Sequence, residues 1–128
     1  DAALVYHPLS FLGEESERAA NAFGCAADVG SAAEYLTVLF ENQPAEGTGG
    51  FTTEDLIMLG ERAGVGGPAF ERCVEAGTYR AWVANVAAGQ RAAGVSSTPT
   101  VFLDGELLAT DQLTPADLRA AVAAAAGS

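Results

Sequence analysis

The stretch Ser96 to Gly105, SSTPTVFLDG, constrains the fold more than any other part of the chain. Thr100, Val101, Phe102 and Leu103 are β-branched, aromatic or large aliphatic, which suits a mostly buried strand. Asp104-Gly105 is the strongest hairpin signal in the sequence, because a type I′ turn needs positive φ at both central residues. Glu106 to Ala109 is the expected return strand. Pro99 stands at the start of the first strand, where its missing N–H does least harm. On its own the segment predicts a β-hairpin at a sheet edge, preceded by an ordinary X-Pro bond, and most such bonds are trans.

The remainder reads mainly as helix. Leu4-Val5-Tyr6-His7 predicts a short strand stopped by Pro8, which biases His7 toward extended geometry. Glu14 to about Asp28 is an alanine-rich helix with an acidic first turn, favourable to the positive end of its dipole. Gly24 inside it is either a weak point or a place of close packing. Ser31 and Glu34 have capping-box spacing and open a second helix with Tyr35, Leu36, Leu39 and Phe40 on its apolar face. Thr52 and Thr53, with Glu54 and Asp55, start a third carrying Leu56, Ile57 and Leu59, ending by Gly64. Pro68 opens a short fourth helix holding Phe70, Cys73 and Val74. A fifth, from Tyr79 to about Ala93, shows Tyr79, Trp82, Val83 and Val86 at amphipathic spacing. Thr114-Pro115 with Asp117 offers a cap, a proline at the first helical position and an acid in the first turn of a last helix. The order is strand, helices, hairpin, helix, an α/β or α+β layered domain. At 128 residues it is one domain with a real core, and no linker or repeat divides it.

Charge and residue type exclude several functions. Six basic against 17 acidic residues give a net charge of −11, which argues against nucleic acid or an anionic membrane as partner. No run is long and apolar enough to span a bilayer. The acidic pairs all lie in helix first turns, where capping and solvation account for them. His7 is the only histidine, with nothing near it in sequence to make a catalytic pair, and its expected role is structural, at a strand end. Gly47 to Gly50, GTGG, lacks the preceding strand and following Lys-Ser/Thr of a phosphate cradle. Cys25 and Cys73 form neither a CxxC nor a zinc-ligand spacing, so no metal and no cofactor is implied. Their even number permits one disulfide, and two reduced core cysteines are as economical a reading.

The pieces, taken in order, resemble the DsbA-like thiol–disulfide oxidoreductases of the thioredoxin superfamily. HPLSFLG with SERAANAFGCAADVG resembles the strand after that family's active-site helix and the first helix of its helical insertion. YLTVLFENQP is similar to the next helix, FERCVEAGTYRAWV to the later pair, and GVSSTPTVFLDGELL to the cis-proline loop with its hairpin. The resemblance implies a thioredoxin-like α/β fold, with residues 1–13 and 95–128 as its thioredoxin-like part and 14–94 as the helical insertion. It implies a cis Thr98-Pro99 bond, with the Thr98 main chain pairing to an extended, unfolded or reduced polypeptide substrate by strand addition. It also implies an extracytoplasmic setting, in which Cys25 and Cys73 are expected to form a structural disulfide.

The chain departs from the family in one respect that bears on activity. The family's catalytic CxxC opens a helix that precedes the strand at Leu4–His7, where helix dipole and amide donors lower a thiolate pKa. The sequence begins past that position, and the family's central strand is also missing. The expectation is therefore a C-terminal portion of such an enzyme, truncated, without catalytic residues of its own and inactive alone. Its bare strand edges would be relieved by a homodimer or strand-swapped assembly, by a cleaved partner, or by direct pairing of the two strands. A CxxC-less binding or scaffold module is one alternative. A glutathione-dependent relative of kappa-class transferases is another, opposed by the scarcity of basic residues.

Overall fold

The computed structural model of the chain describes residues 2–127. In order, the elements are α1 (Glu14–Asp28), α2 (Ala32–Glu41), α3 (Thr53–Arg62), α4 (Pro68–Ala76), α5 (Arg80–Ala92), β1 (Phe102–Leu103), β2 (Glu106–Leu107), a 3₁₀ turn (Thr110–Gln112) and α6 (Pro115–Ala126). The backbone divides into two units, residues 7–89 and residues 1–6 with 90–128.

The unit of residues 7–89 contains the core. Helix α1 packs against α2, α3 and α4, and α3 against α2 and α4. Leu56, Leu59, Tyr35, Leu39, Phe70 and Val74 meet in one apolar cluster with Ala22, Cys25 and Ala26 of α1. Small residues on α1 let its neighbours approach closely. At Gly24 an added Cβ would lie 2.8 Å from Cγ of Tyr79, so the glycine is a close-packing point. Tyr35 is fully buried, its ring edge-on to Phe70 at 5.4 Å. Its hydroxyl donates to the Leu56 carbonyl at 2.9 Å, which satisfies the one polar atom such a side chain brings inside.

The capping box expected at Ser31 does not form, and a complete one forms at the start of α3. At α3, Thr52 Oγ1 accepts from the Asp55 N–H at 3.1 Å and Asp55 Oδ2 accepts from the Thr52 N–H at 3.0 Å, a complete capping box. At α2 the Ser31 side chain makes no cap bond. The reason is conformational: Ser31 has φ −124° and ψ 34°, whereas Thr52 has the extended backbone (φ −75°, ψ 167°) from which a side-chain oxygen reaches the first turn. Phe40, expected on the apolar face of α2, is 64% exposed.

In the unit of residues 1–6 and 90–128, the only sheet among the described residues is the β1–β2 hairpin. Phe102 pairs with Leu107 and Leu103 with Glu106. The turn is the one its sequence demands, with φ +50° at Asp104 and +87° at Gly105. One further bond, Leu108 N–H to the Val101 carbonyl at 2.9 Å, carries the pairing beyond the strands. The expected strands over 100–103 and 106–109 are thus two residues each, and they are not mostly buried, for Phe102 is 48% exposed. Side chains on a lone two-stranded ribbon have no second layer to cover them.

The strand expected at Leu4–His7 does not form, and Leu4 and Val5 are 73% and 69% exposed. β-propensity describes fit to a neighbouring strand, and without a ladder it fixes nothing. With no strand there, His7 has no strand end to occupy, and it is exposed. Helix α6 is capped as expected, Thr114 Oγ1 accepting from the Asp117 N–H at 3.2 Å.

Candidate functional site

Two features carry the sequence-derived candidates, and each lies within its own unit. In the smaller unit, α5 is closed by the Val95 N–H donating to the Gln90 carbonyl at 2.9 Å, which starts the segment leading to the proline. Thr100 Oγ1 then donates to the Ser97 carbonyl at 2.6 Å, bracing the loop from its far side. Between them, Thr98 and Pro99 are exposed and joined by a cis peptide bond. Pro99 offers no N–H by its chemistry. The Thr98 main-chain groups hold no hydrogen bond among the described residues. An exposed main chain with free polar groups, just ahead of a hairpin, is suited to pairing with an extended peptide.

In the helical unit, Cys25 of α1 and Cys73 of α4 form a disulfide, with Cα atoms 5.8 Å apart at a sequence separation of 48. Cys25 is 1% exposed and Cys73 is half-buried. Closing a loop of that length contributes about 4 kcal/mol in the chain-entropy account. The bridge belongs to a wider grip. Asn21, Gly24, Cys25 and Asp28 share one face of α1 at helical spacing, and all four meet residues 73–79. Asn21, buried, accepts from the Tyr79 N–H at 2.7 Å and donates to the Val74 carbonyl at 3.4 Å. Asp28 accepts a short hydrogen bond from the Tyr79 hydroxyl. That carboxylate raises the Tyr79 pKa above its ordinary 10.0, since the neutral phenol is the donor. Burial pushes the Tyr35 phenol up strongly.

Sequence reasoning missed Asn21, whose two bonds join segments more than 50 residues away, and it misread Glu15. Glu15 does more than favour a helix dipole. Its carboxylate accepts from the Gly47 and Gly49 N–H groups at 3.2 and 3.0 Å. Arg18, one turn on, donates to the Gly49 and Phe51 carbonyls at 2.6 and 3.2 Å. The GTGG loop is thereby tied to α1, and two of its amides are already filled by an internal carboxylate. Glu15 followed by Arg18 at i+3 was the available signal, but nothing in sequence names the loop they reach.

In chemical terms, both sulfurs are bonded to each other, so neither is a thiolate nucleophile. No cluster of His, Cys, Asp and Glu among the described residues could hold a metal ion. A family model described as thioredoxin matches residues 1–124. The chain belongs to this family, the DsbA-like branch of the thioredoxins. No curated protein and no solved structure matches it at a significant level.

Proposed function

We propose that the chain is a portion of a thiol–disulfide oxidoreductase acting on exported proteins, and that it carries the substrate-binding proline loop but no catalytic CxxC. Residues 1–13 and 95–128 are the thioredoxin-like part in this reading, and 14–94 the helical insertion. The observation that carries it is the exposed Thr98 main chain, with its free polar groups, beside Pro99. Family membership and the disulfide support an oxidising, extracytoplasmic setting. No helix among the described residues is long and apolar enough to cross a membrane.

Main-chain bonds carry no side-chain selection, so the partner is an unfolded or reduced polypeptide held with little sequence preference. A titration of the isotope-labelled chain with a reduced, unfolded polypeptide tests this. The Thr98 amide should shift first, and Thr98→Pro, which removes that donor, should abolish the effect while Thr98→Ala retains it. Shifts confined to the helical unit would overturn the assignment. Residues 1–128 alone should show no dithiol oxidase or reductase turnover above a thiol-free control. Turnover that survives Cys25→Ser and Cys73→Ser would mean that the chemistry lies elsewhere in the chain.

A binding or scaffold module is the second reading, favoured by the locking of both cysteines into one disulfide. Peptide binding with no oxidoreductase activity in the complete protein would select it. In either case the unpaired outer edges of the β1–β2 hairpin favour self-association, and sedimentation at micromolar concentration should show a dimer. A compact monomer would remove that part of the proposal.

A further inference from the structure

We propose that the Cys25–Cys73 disulfide is a one-sided thiol-exchange site, entered only at the Cys73 sulfur and returned to its closed state by a Cys25 that Asn21 keeps in register. The argument begins with access. Cys25 sits in the apolar cluster with Ala22 and Ala26, at 1% exposure, while Cys73 is half-buried at the edge of the same cluster. A thiolate from solution can therefore reach only Cys73. In the exchange, the attacking sulfur forms a bond to Cys73 Sγ and the Cys73–Cys25 bond breaks. The electron pair leaves on Cys25 Sγ, which takes a proton from water. Enclosed by apolar side chains, Cys25 is shielded from thiols in solution and is left facing the Cys73 sulfur, the one partner within its reach for the reverse step.

The return depends on the two sulfurs staying opposite each other once the bond is cut. Asn21, one turn before Cys25, holds Val74 and Tyr79, both on the C-terminal side of Cys73, through hydrogen bonds that do not involve sulfur. Gly24 and Asp28 on the same face keep Tyr79 seated. A monothiol adduct on Cys73 is thus expelled by Cys25 before a second monothiol arrives. A soluble dithiol instead completes the reduction by closing on itself, losing two electrons as the pair gains two electrons and two protons.

The full chain, reduced with a phosphine and given a brief iodoacetamide pulse without denaturant, tests the proposal. Peptide mapping should show Cys73 labelled at least about tenfold faster than Cys25, as their exposures require. Labelling of Cys25 first, or of both at one rate, would overturn it. In the same experiment on Asn21→Ala, expulsion of a preformed glutathione adduct from Cys73 should slow by at least about tenfold. An unchanged rate there would show that Asn21 does not hold the register. In Cys25→Ala the adduct should persist, and its loss at the wild-type rate would contradict a return by Cys25.

Discussion

Asn21 is a buried polar side chain at the join between α1 and residues 74–79. It is 2% exposed, and both ends of its amide are used. Asn21→Ala leaves the Tyr79 N–H without its partner and the Val74 carbonyl with the Gly77 N–H alone, and should lower unfolding free energy by about 2 kcal/mol, measured by urea denaturation. The glycines of two helices give a contrast in sign. Alanine in place of glycine normally favours a helix by up to about 1 kcal/mol. Gly89→Ala, in α5, meets nothing within 4 Å and should show that gain. Gly24→Ala must displace the Tyr79 ring and should instead cost about 1–3 kcal/mol. The chain contains no lysine, so between its carboxylates and its arginines the side chains that titrate in alkali are its three tyrosines. The folded-state pKa values of Tyr35 and Tyr79 lie above 10.0. Folding therefore protects their protons, and this stabilisation is complete below about pH 10 and lost as pH rises through the folded values. Unfolding free energy followed from pH 8 upward should fall only in that range, and Tyr79→Phe should remove the part that Tyr79 contributes.

At the scale of elements, the caps separate what spacing predicts from what geometry delivers. Thr52→Ala should cost about 1 kcal/mol, because its side chain accepts a first-turn N–H of α3, whereas Ser31→Ala should be nearly neutral. Thermal melts of the two variants decide this directly. The helices were legible in the sequence because each carries local signals: an acidic first turn at Glu14, a proline at Pro68 and Pro115, an apolar stripe through Tyr35 and Leu39. The Asp104-Gly105 turn was legible for the same reason, since its φ values are set within two residues. Leu4–His7 was misread as a strand, because a strand exists only through a partner elsewhere in the chain, which local propensity does not specify. The Glu15 and Arg18 ties to residues 47–51 also lay beyond local reading, since nothing in either segment specifies the other. Of the candidate site, the hairpin stood out in sequence by its turn chemistry and the proline loop only through its resemblance to the family, while the α1 face that surrounds the disulfide did not stand out at all.

For the whole molecule, the disulfide changes which parts of the chain can bear load. Cys25 and Cys73 stand at a sequence separation of 48 while holding their Cα atoms 5.8 Å apart. A force applied to the two termini passes through α1, crosses the sulfur bridge and continues into α4, so α2, α3 and the loop tied down by Glu15 feel no tension. Pulled in an optical trap, the oxidised protein should lengthen without releasing that segment. Addition of a dithiol should then yield a second extension of about 160 Å, from roughly 3.4 Å per residue of freed chain. The bridge makes the middle of the helical unit mechanically silent, and its rupture by a reductant becomes a length that can be counted one molecule at a time.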